Sequence, residues 1–375
     1  MRLTAPKQWS QTDLTAKLHR EPGPRFLRWD RNRVLQHAAK TTLAAAVCWG
    51  VAMLLGLHDG YWGAISAIIV LQSNVGSTVR ASRDRLIGTC IGASFGFLFS
   101  LWNALPWNFM CALMASMLVC GMLGLRTSSR LAGVTVCIVM LVQTAGSHWS
   151  IAFDRVVEVL LGIVIALAVS SLVLPDRARL RLRDNLAQQY LTLGALFEAT
   201  LQGFRGEPAK NLPELREECS RLLNNSTQLL EAARNEPSGG AGWREGLLTL
   251  AQFGRSLFDA LTALDLAVQG SNDDAYAHQL EPALDRLATD IRNGFQYVAY
   301  CTHNWRFHVP PMGINLEEDI AQLEARMAEV RHTGSKFGQA EILRAYAVQL
   351  HLKQIARTLK ASRVETGEAI GEAKR

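Results

Sequence analysis

Two acid–base doublets, Asp84-Arg85 and Asp154-Arg155, each open a run of apolar sequence in the first half of the chain. An arginine in such surroundings suits a carboxylate or phosphate, because its planar fork offers parallel donors to two oxygens at once. Glu158 follows Arg155 by three residues, so the two share one face of a helix. A carboxylate inside an apolar helix is a candidate proton carrier; a purely structural Arg155–Glu158 ion pair is the alternative. Gln72, Asn74 and Gln143 fall near the ends of short apolar segments, where they either line a polar path or tie helices together. The set predicts a site for a negatively charged solute. Arg85, Arg155 and Gln72 are its anion contacts, and Glu158, Asp84 and Asp154 its proton-coupling or ion-pairing groups. His58, Asp59 and His148 read as solvated loop residues.

Other chemistry finds little purchase. The sequence has no G-x-x-x-x-G-K-[ST] phosphate loop and no G-x-S-x-G nucleophile elbow. Its seven cysteines include no C-x-x-C and no Cys/His cluster at metal spacing, so they are expected to be buried thiols. No enzymatic activity, metal or cofactor is expected. The glycine-rich run GTCIGASFG lies within an apolar segment and reads as small-residue helix packing.

The elements that must position these groups are helices in lipid. The 375 residues are 49% hydrophobic and only 19% charged, against about 25% charged in soluble domains. The long apolar runs concentrate between residues 38 and 175. Six crossings are predicted: 38–57, a short one from Tyr61, 85–102, 107–125, a short one over 131–145, and 155–174 ending at Pro175. The second and fifth fall below the roughly 20 residues a crossing needs, and so are expected to be tilted, broken or re-entrant at Gly76 and Gly146. Arg85 is placed at the cytoplasmic start of the third crossing and Arg155 at the outer start of the sixth. Free N–H groups at a helix start would add to each cation.

Orientation follows from the basic residues. Arg25, Arg28, Arg31 and Arg33 precede the first crossing; Arg80, Arg83, Arg126 and Arg130 fill the even loops; Arg177, Arg179, Arg181 and Arg183 follow the last. Basic loops stay in the cytoplasm, which puts both termini there. Tyr61, Trp62, Trp102, Trp107 and Trp149 fall at the opposite boundaries, as interfacial aromatics do.

The membrane half also matches itself at an offset of 70 residues, with nine identities that include Gly63/Gly133, Asp84/Asp154, Arg85/Arg155 and Gly92/Gly162. Each unit holds three crossings, so the second is inverted relative to the first, an arrangement that places substrate sites near the midplane. From residue 176 the pattern becomes amphipathic and helical. Leu182, Leu186, Tyr190, Leu193, Phe197 and Leu201 form one stripe. Leu247, Leu250, Gly254, Leu257, Leu261, Leu264 and Val268 form a heptad seam, and Ile320, Leu323, Met327 and Val330 a third stripe. About five helices with a frayed last dozen residues are expected. The basic charge of this half lies at its membrane end and reads as lipid contact, not nucleic-acid binding. The expected fold is therefore all-α: a cytoplasmic basic segment (1–37), a six-helix transmembrane module built as a 3+3 repeat (38–175), and a cytosolic helical bundle (176–375).

The stretch YWGAISAIIVLQSNVGSTVRASRDRLIGTCIGASFG, with Arg85, Gly88, Thr89 and Gly92, resembles the signature of the fusaric acid resistance and aromatic acid exporter superfamily. The segment FDRVVEVLLGIVIALAVSSLVLP, with Arg155, Glu158, Gly162 and Pro175, is similar to the end of the same module. The resemblance implies a bacterial inner-membrane efflux protein for aromatic carboxylic acids or related toxic compounds; with Glu158 as proton carrier, export is expected to be coupled to protons. The resemblance also implies a homodimer supplying the second module that many members carry in one chain, and raises a periplasmic adaptor as a further partner. Some members resemble anion channels with six spans, so a passive channel stays open as an alternative, as does a membrane-anchored scaffold.

Overall fold

The computed structural model describes residues 25–57, 59–102, 106–142, 148–173, 176–204, 211–236, 242–268, 275–303, 314–332 and 338–372. Among these there are twelve helices and no strand. The chain divides into two compact units, the first ending at Asp176 and the second beginning at Arg177.

The first unit holds α1 (Arg25–Leu54), α2 (Tyr61–Val70), α3 (Val75–Ser100), α4 (Pro106–Met122), α5 (Arg126–Leu141) and α6 (His148–Leu172). Of these α6 alone, over Trp149–Leu172, is both long and apolar enough to cross a bilayer by composition; α2 and α4 are apolar but shorter. α2 has 10 residues, about 15 Å of helix or half a hydrocarbon core. It ends where Leu71 turns extended (φ −70°, ψ 113°), and α5 ends the same way at Val142 (φ −78°, ψ 111°). The two short segments are thus a matched pair, each a helix running out into extended chain.

Packing repeats between the halves. α3 packs on α5 as α6 packs on α2, α1 on α2 as α4 on α5, and α1 on α6 as α4 on α3, while α3 and α6 meet each other at the centre. Ser170 donates to the Thr78 hydroxyl (3.4 Å), and the Phe97 and Trp149 rings lie 5.2 Å apart. These two contacts fix α3 and α6 as antiparallel neighbours, as an inverted repeat requires.

Close approach at the repeated contacts depends on glycine. A methyl on Gly92 would meet the Ala132 carbonyl and stand 2.8 Å from Thr135 Cβ; one on Gly162 would meet the Gly63 carbonyl and stand 2.8 Å from Ser66 Cβ. Both contacts involve backbone, which cannot swing aside. Gly92→Ala and Gly162→Ala should each lower stability by about 1–3 kcal/mol, read as thermal unfolding of the detergent-solubilised chain. Gly121→Ala is the control, since nothing lies within 4 Å of its added methyl. Equal melting of all three variants would show that the repeated contacts do not depend on close backbone approach.

The second unit is a bundle of six helices, one more than the periodicity predicted: α7 (Ala178–Phe204), α8 (Leu212–Arg234), α9 (Gly242–Val268), α10 (Ala275–His303), α11 (Leu316–His332) and α12 (Gln339–Glu372). The unforeseen division separates α11 from α12, and the last helix continues to Glu372 where fraying was expected. Most of the predicted stripe positions are buried in its core, with Tyr190, Phe197 and Phe295 among the largest enclosed side chains. Gly254 lets α9 close on Gln189 of α7, and the Tyr190 hydroxyl donates to the Leu250 carbonyl (3.0 Å). Glu236 accepts from the Ala178 N–H at the start of α7. Burial pushes its carboxyl up, against the pull of that N–H and of Arg179.

Candidate functional site

Neither arginine begins its helix. Asn74 caps α3 by accepting from Ser77 N–H (2.8 Å), so Arg85 is the eleventh residue of that helix, and Arg155 the eighth of α6. The stretch around Gly76, expected as the interruption, is the first turn of α3 itself; the break lies just before it, at 71–74. Hydropathy located the apolar part of α3 and missed its polar first turns, where Thr78 and Ser82 are buried, and it started α6 at an Asp-Arg doublet that lies inside the helix. The expected contribution of free helix-start N–H groups is therefore absent at both arginines. With α3 and α6 antiparallel in the register set by Thr78–Ser170, Arg85 is level with Gly162 and Arg155 with Gly92. The two positions are about 10 Å apart along the axes, straddling the middle of the helix pair.

Arg155 is 3% exposed and stands between two acids. Its Nη2 lies 2.5 Å from Asp59 Oδ2, and its Nη1 3.0 Å from Glu158 Oε2, with Glu158 2% exposed. The second pair is an ion pair with poor hydrogen-bond angles, leaving Nε, Nη1 and Glu158 Oε2 without a formal partner. The guanidinium also lies 4.9 Å over the Trp62 ring, whose own N–H is buried and unpartnered. Asp59 is held by the turn that starts α2, where its carbonyl accepts from the Trp62 N–H (3.0 Å).

Arg85 is equally buried, at 3% exposed, but its surroundings differ. Its Nε donates to Ser66 Oγ at 3.4 Å. Among the described residues no carboxylate stands within ion-pair distance of it. Ser66 is one turn beyond Trp62 on α2, so both arginines address the same short helix.

The other predicted groups lie apart from this pair. Gln72 is exposed and turns its amide back to the Ile69 carbonyl (3.2 Å), while its backbone N–H donates to Thr78 Oγ1. Asp84 sits 4.0 Å from Arg83, and Asp154 is exposed. Gln143 and the 143–147 segment, His58 and Pro175 lie outside the described residues, as do the side chains of Arg25–Arg33 and His148. Asp59, assigned to a solvated loop, is instead a direct partner of Arg155. Trp62, assigned to the membrane boundary, faces that arginine, while Tyr61, Trp102, Trp107 and Trp149 are exposed. The signal for the missing members was present: Asp59, Trp62 and Ser66 follow 3,4 spacing, one face of a helix and its entry turn.

A model of the fusaric acid resistance protein family matches residues 34–374. Inner membrane protein YccS of Escherichia coli is 24% identical over 145 residues, covering 38% of this chain and 20% of YccS. The uncharacterized transporter YdhK of Escherichia coli is 30% identical over 154 residues, 37% of this chain and 23% of YdhK. A UPF0421 protein of Staphylococcus haemolyticus is 26% identical over 176 residues, 46% of this chain and 52% of its own length. The chain spans about half or less of the length of these curated relatives. With the family match running through both compact units, the chain belongs to the fusaric acid resistance protein family.

Proposed function

We propose that this chain is a bacterial inner-membrane transporter that exports small organic anions, aromatic carboxylates among them, with Arg85 as the anion's contact and Glu158 coupling export to protons. Arg85 carries the reading: a buried cation near the middle of α3 that no described carboxylate neutralises. A charge so placed costs about 2.5–3.5 kcal/mol in a bilayer, and an anionic solute is the partner that relieves it. The helix directions support six crossings with both termini on one side, since α3 runs against α6 and the packing repeats between halves, and the basic residues flanking the first and last crossings favour the cytoplasm for that side. Arg155 has two acids already and serves better as a proton-linked switch: neutralising Glu158 loosens its hold on Arg155, leaving Asp59.

Flux into proteoliposomes tests this, using a panel of aromatic acids with and without a pH gradient. The wild-type chain should accumulate an acid against its gradient only when a pH gradient is imposed. Glu158→Gln should still pass the acid down its gradient and lose the accumulation. A wild-type chain indifferent to the pH gradient, with Glu158→Gln behaving identically, would replace the exporter with a passive anion channel.

A further inference from the structure

Thr78, Ser82, Arg85 and Thr89 follow 4,3,4 spacing along α3, forming one stripe on which every residue is at most 6% exposed. Hydroxyls in a helix that lack another partner normally donate to a carbonyl one turn back. Here Thr78 donates to Asn74 (2.9 Å), Ser94 to Cys90 (2.8 Å) and, on α5, Thr135 to Leu131 (3.0 Å). Ser82 Oγ and Thr89 Oγ1 break that habit, being buried without any partner; Ser128 on α5, beside Gly88, is a third. Buried polar atoms left unsatisfied in a native fold call for a ligand that satisfies them. Ser82 and Thr89 stand one turn either side of Arg85, about 4.5 and 6 Å along the axis, next to a buried cation that has no acid partner among the described residues.

We propose that the Ser82 and Thr89 hydroxyls are binding residues that donate in turn to the carboxylate Arg85 attracts, each sharing it with the guanidinium at one of two successive positions along α3, and that the three select a carboxylate over a halide. This rests on the reading of Arg85 as the anion's contact. A carboxylate has two oxygens, each with two lone pairs, and sheds water only when several donors replace it from different directions. A single guanidinium cannot cover them all. The two hydroxyls are about 10.5 Å apart along the axis, so each adds a donor to the guanidinium's at one position, one a turn before Arg85 and one a turn after it, whereas a spherical halide has no second oxygen for the hydroxyl to take.

The test is benzoate and chloride flux into proteoliposomes by Ser82→Ala, Thr89→Val and Thr89→Ser. Thr89→Val keeps the shape of the side chain and removes only the donor. The half-saturation concentration for benzoate should rise about tenfold in Ser82→Ala and in Thr89→Val, as for a lost hydrogen bond to a charged group. Thr89→Ser should restore it, and chloride flux should change far less. An unchanged half-saturation concentration overturns the proposal. So does a loss that Thr89→Ser does not restore, which would mark a packing role, or an equal loss for chloride. If these variants leave benzoate unaffected while Arg85→Gln abolishes its flux, the transporter reading stands and this inference alone fails. A wild-type chain that moves no benzoate overturns both.

Discussion

Arg85→Met should abolish anion flux and, at the same time, make the protein more resistant to unfolding. The two signs follow from one feature. Arg85 is buried, and among the described residues it has a serine at 3.4 Å and no carboxylate partner. Removing an uncompensated charge from such a place returns about 2.5–3.5 kcal/mol on membrane-insertion scales, and methionine fills a similar volume with no charge. Removing the cation that a desolvated anion pairs with costs about 2–5 kcal/mol of binding, or roughly a hundredfold in flux at subsaturating substrate. Arg85→Lys should fall between, since it keeps the charge but loses the planar fork. Flux in proteoliposomes and thermal unfolding in detergent read the two effects separately. A variant that melts earlier than wild type would mean that Arg85 is structurally compensated, and the anion site would have to be sought elsewhere. A more stable variant with undiminished flux would remove Arg85 from the transport path.

This division of labour between the arginines was only half legible in the sequence. Both stood out as cations in apolar surroundings, and the offset of 70 aligned them as equivalents. Their packing is equivalent too, since each lies level with the glycine of the other's repeat. What the alignment could not carry is that they face the same short helix with different residues on it. Among the described residues, α2 and its entry turn offer Asp59 and Trp62 to Arg155 but Ser66 to Arg85. The aligned aspartates, which looked like the natural partners, pair with neither arginine among the described residues: Asp84 is 4.0 Å from Arg83, and Asp154 is exposed. A residue adjacent in sequence on a helix lies about 100° around the axis, so an Asp-Arg doublet cannot share a face.

The helix starts failed for a related reason. Hydropathy sees a crossing where apolar residues accumulate, and α3 spends its buried stripe on Thr78, Ser82, Arg85 and Thr89. Polar groups that face inward lower the average and shorten the apparent span, although the helix begins ten residues earlier under the Asn74 cap. The second unit had no such conflict. Its buried stripes are apolar and its breaks carry glycine or proline, so the sequence located four of its five divisions; the α11–α12 division was missed although Gly334 and Gly338 mark it.

Arg155→Gln should destabilise the protein strongly, in contrast to Arg85→Met, and a second substitution should repair it. Arg155 neutralises Glu158 at 3.0 Å, and Glu158 is 2% exposed with one oxygen already lacking a hydrogen-bond partner. Taking away one member of a buried ion pair leaves the other uncompensated, at about 3–5 kcal/mol. The double variant Arg155→Gln/Glu158→Gln has no charge to strand, and two amides can bond across the same gap, so it should recover most of that loss. Asp59 is the other acid on Arg155 and gives a comparison outside that cycle. It is partly exposed, with water to turn to, so Asp59→Asn should weaken the protein far less than Arg155→Gln does. Thermal unfolding of wild type, Arg155→Gln, Glu158→Gln and the double variant gives the coupling energy between Arg155 and Glu158 directly. Additive losses, with the double variant no better than Arg155→Gln, would show that the two groups do not compensate one another. Glu158 would then have no ion pair to release, and the proton-linked switch would lose its physical basis while the Arg85 site remained intact.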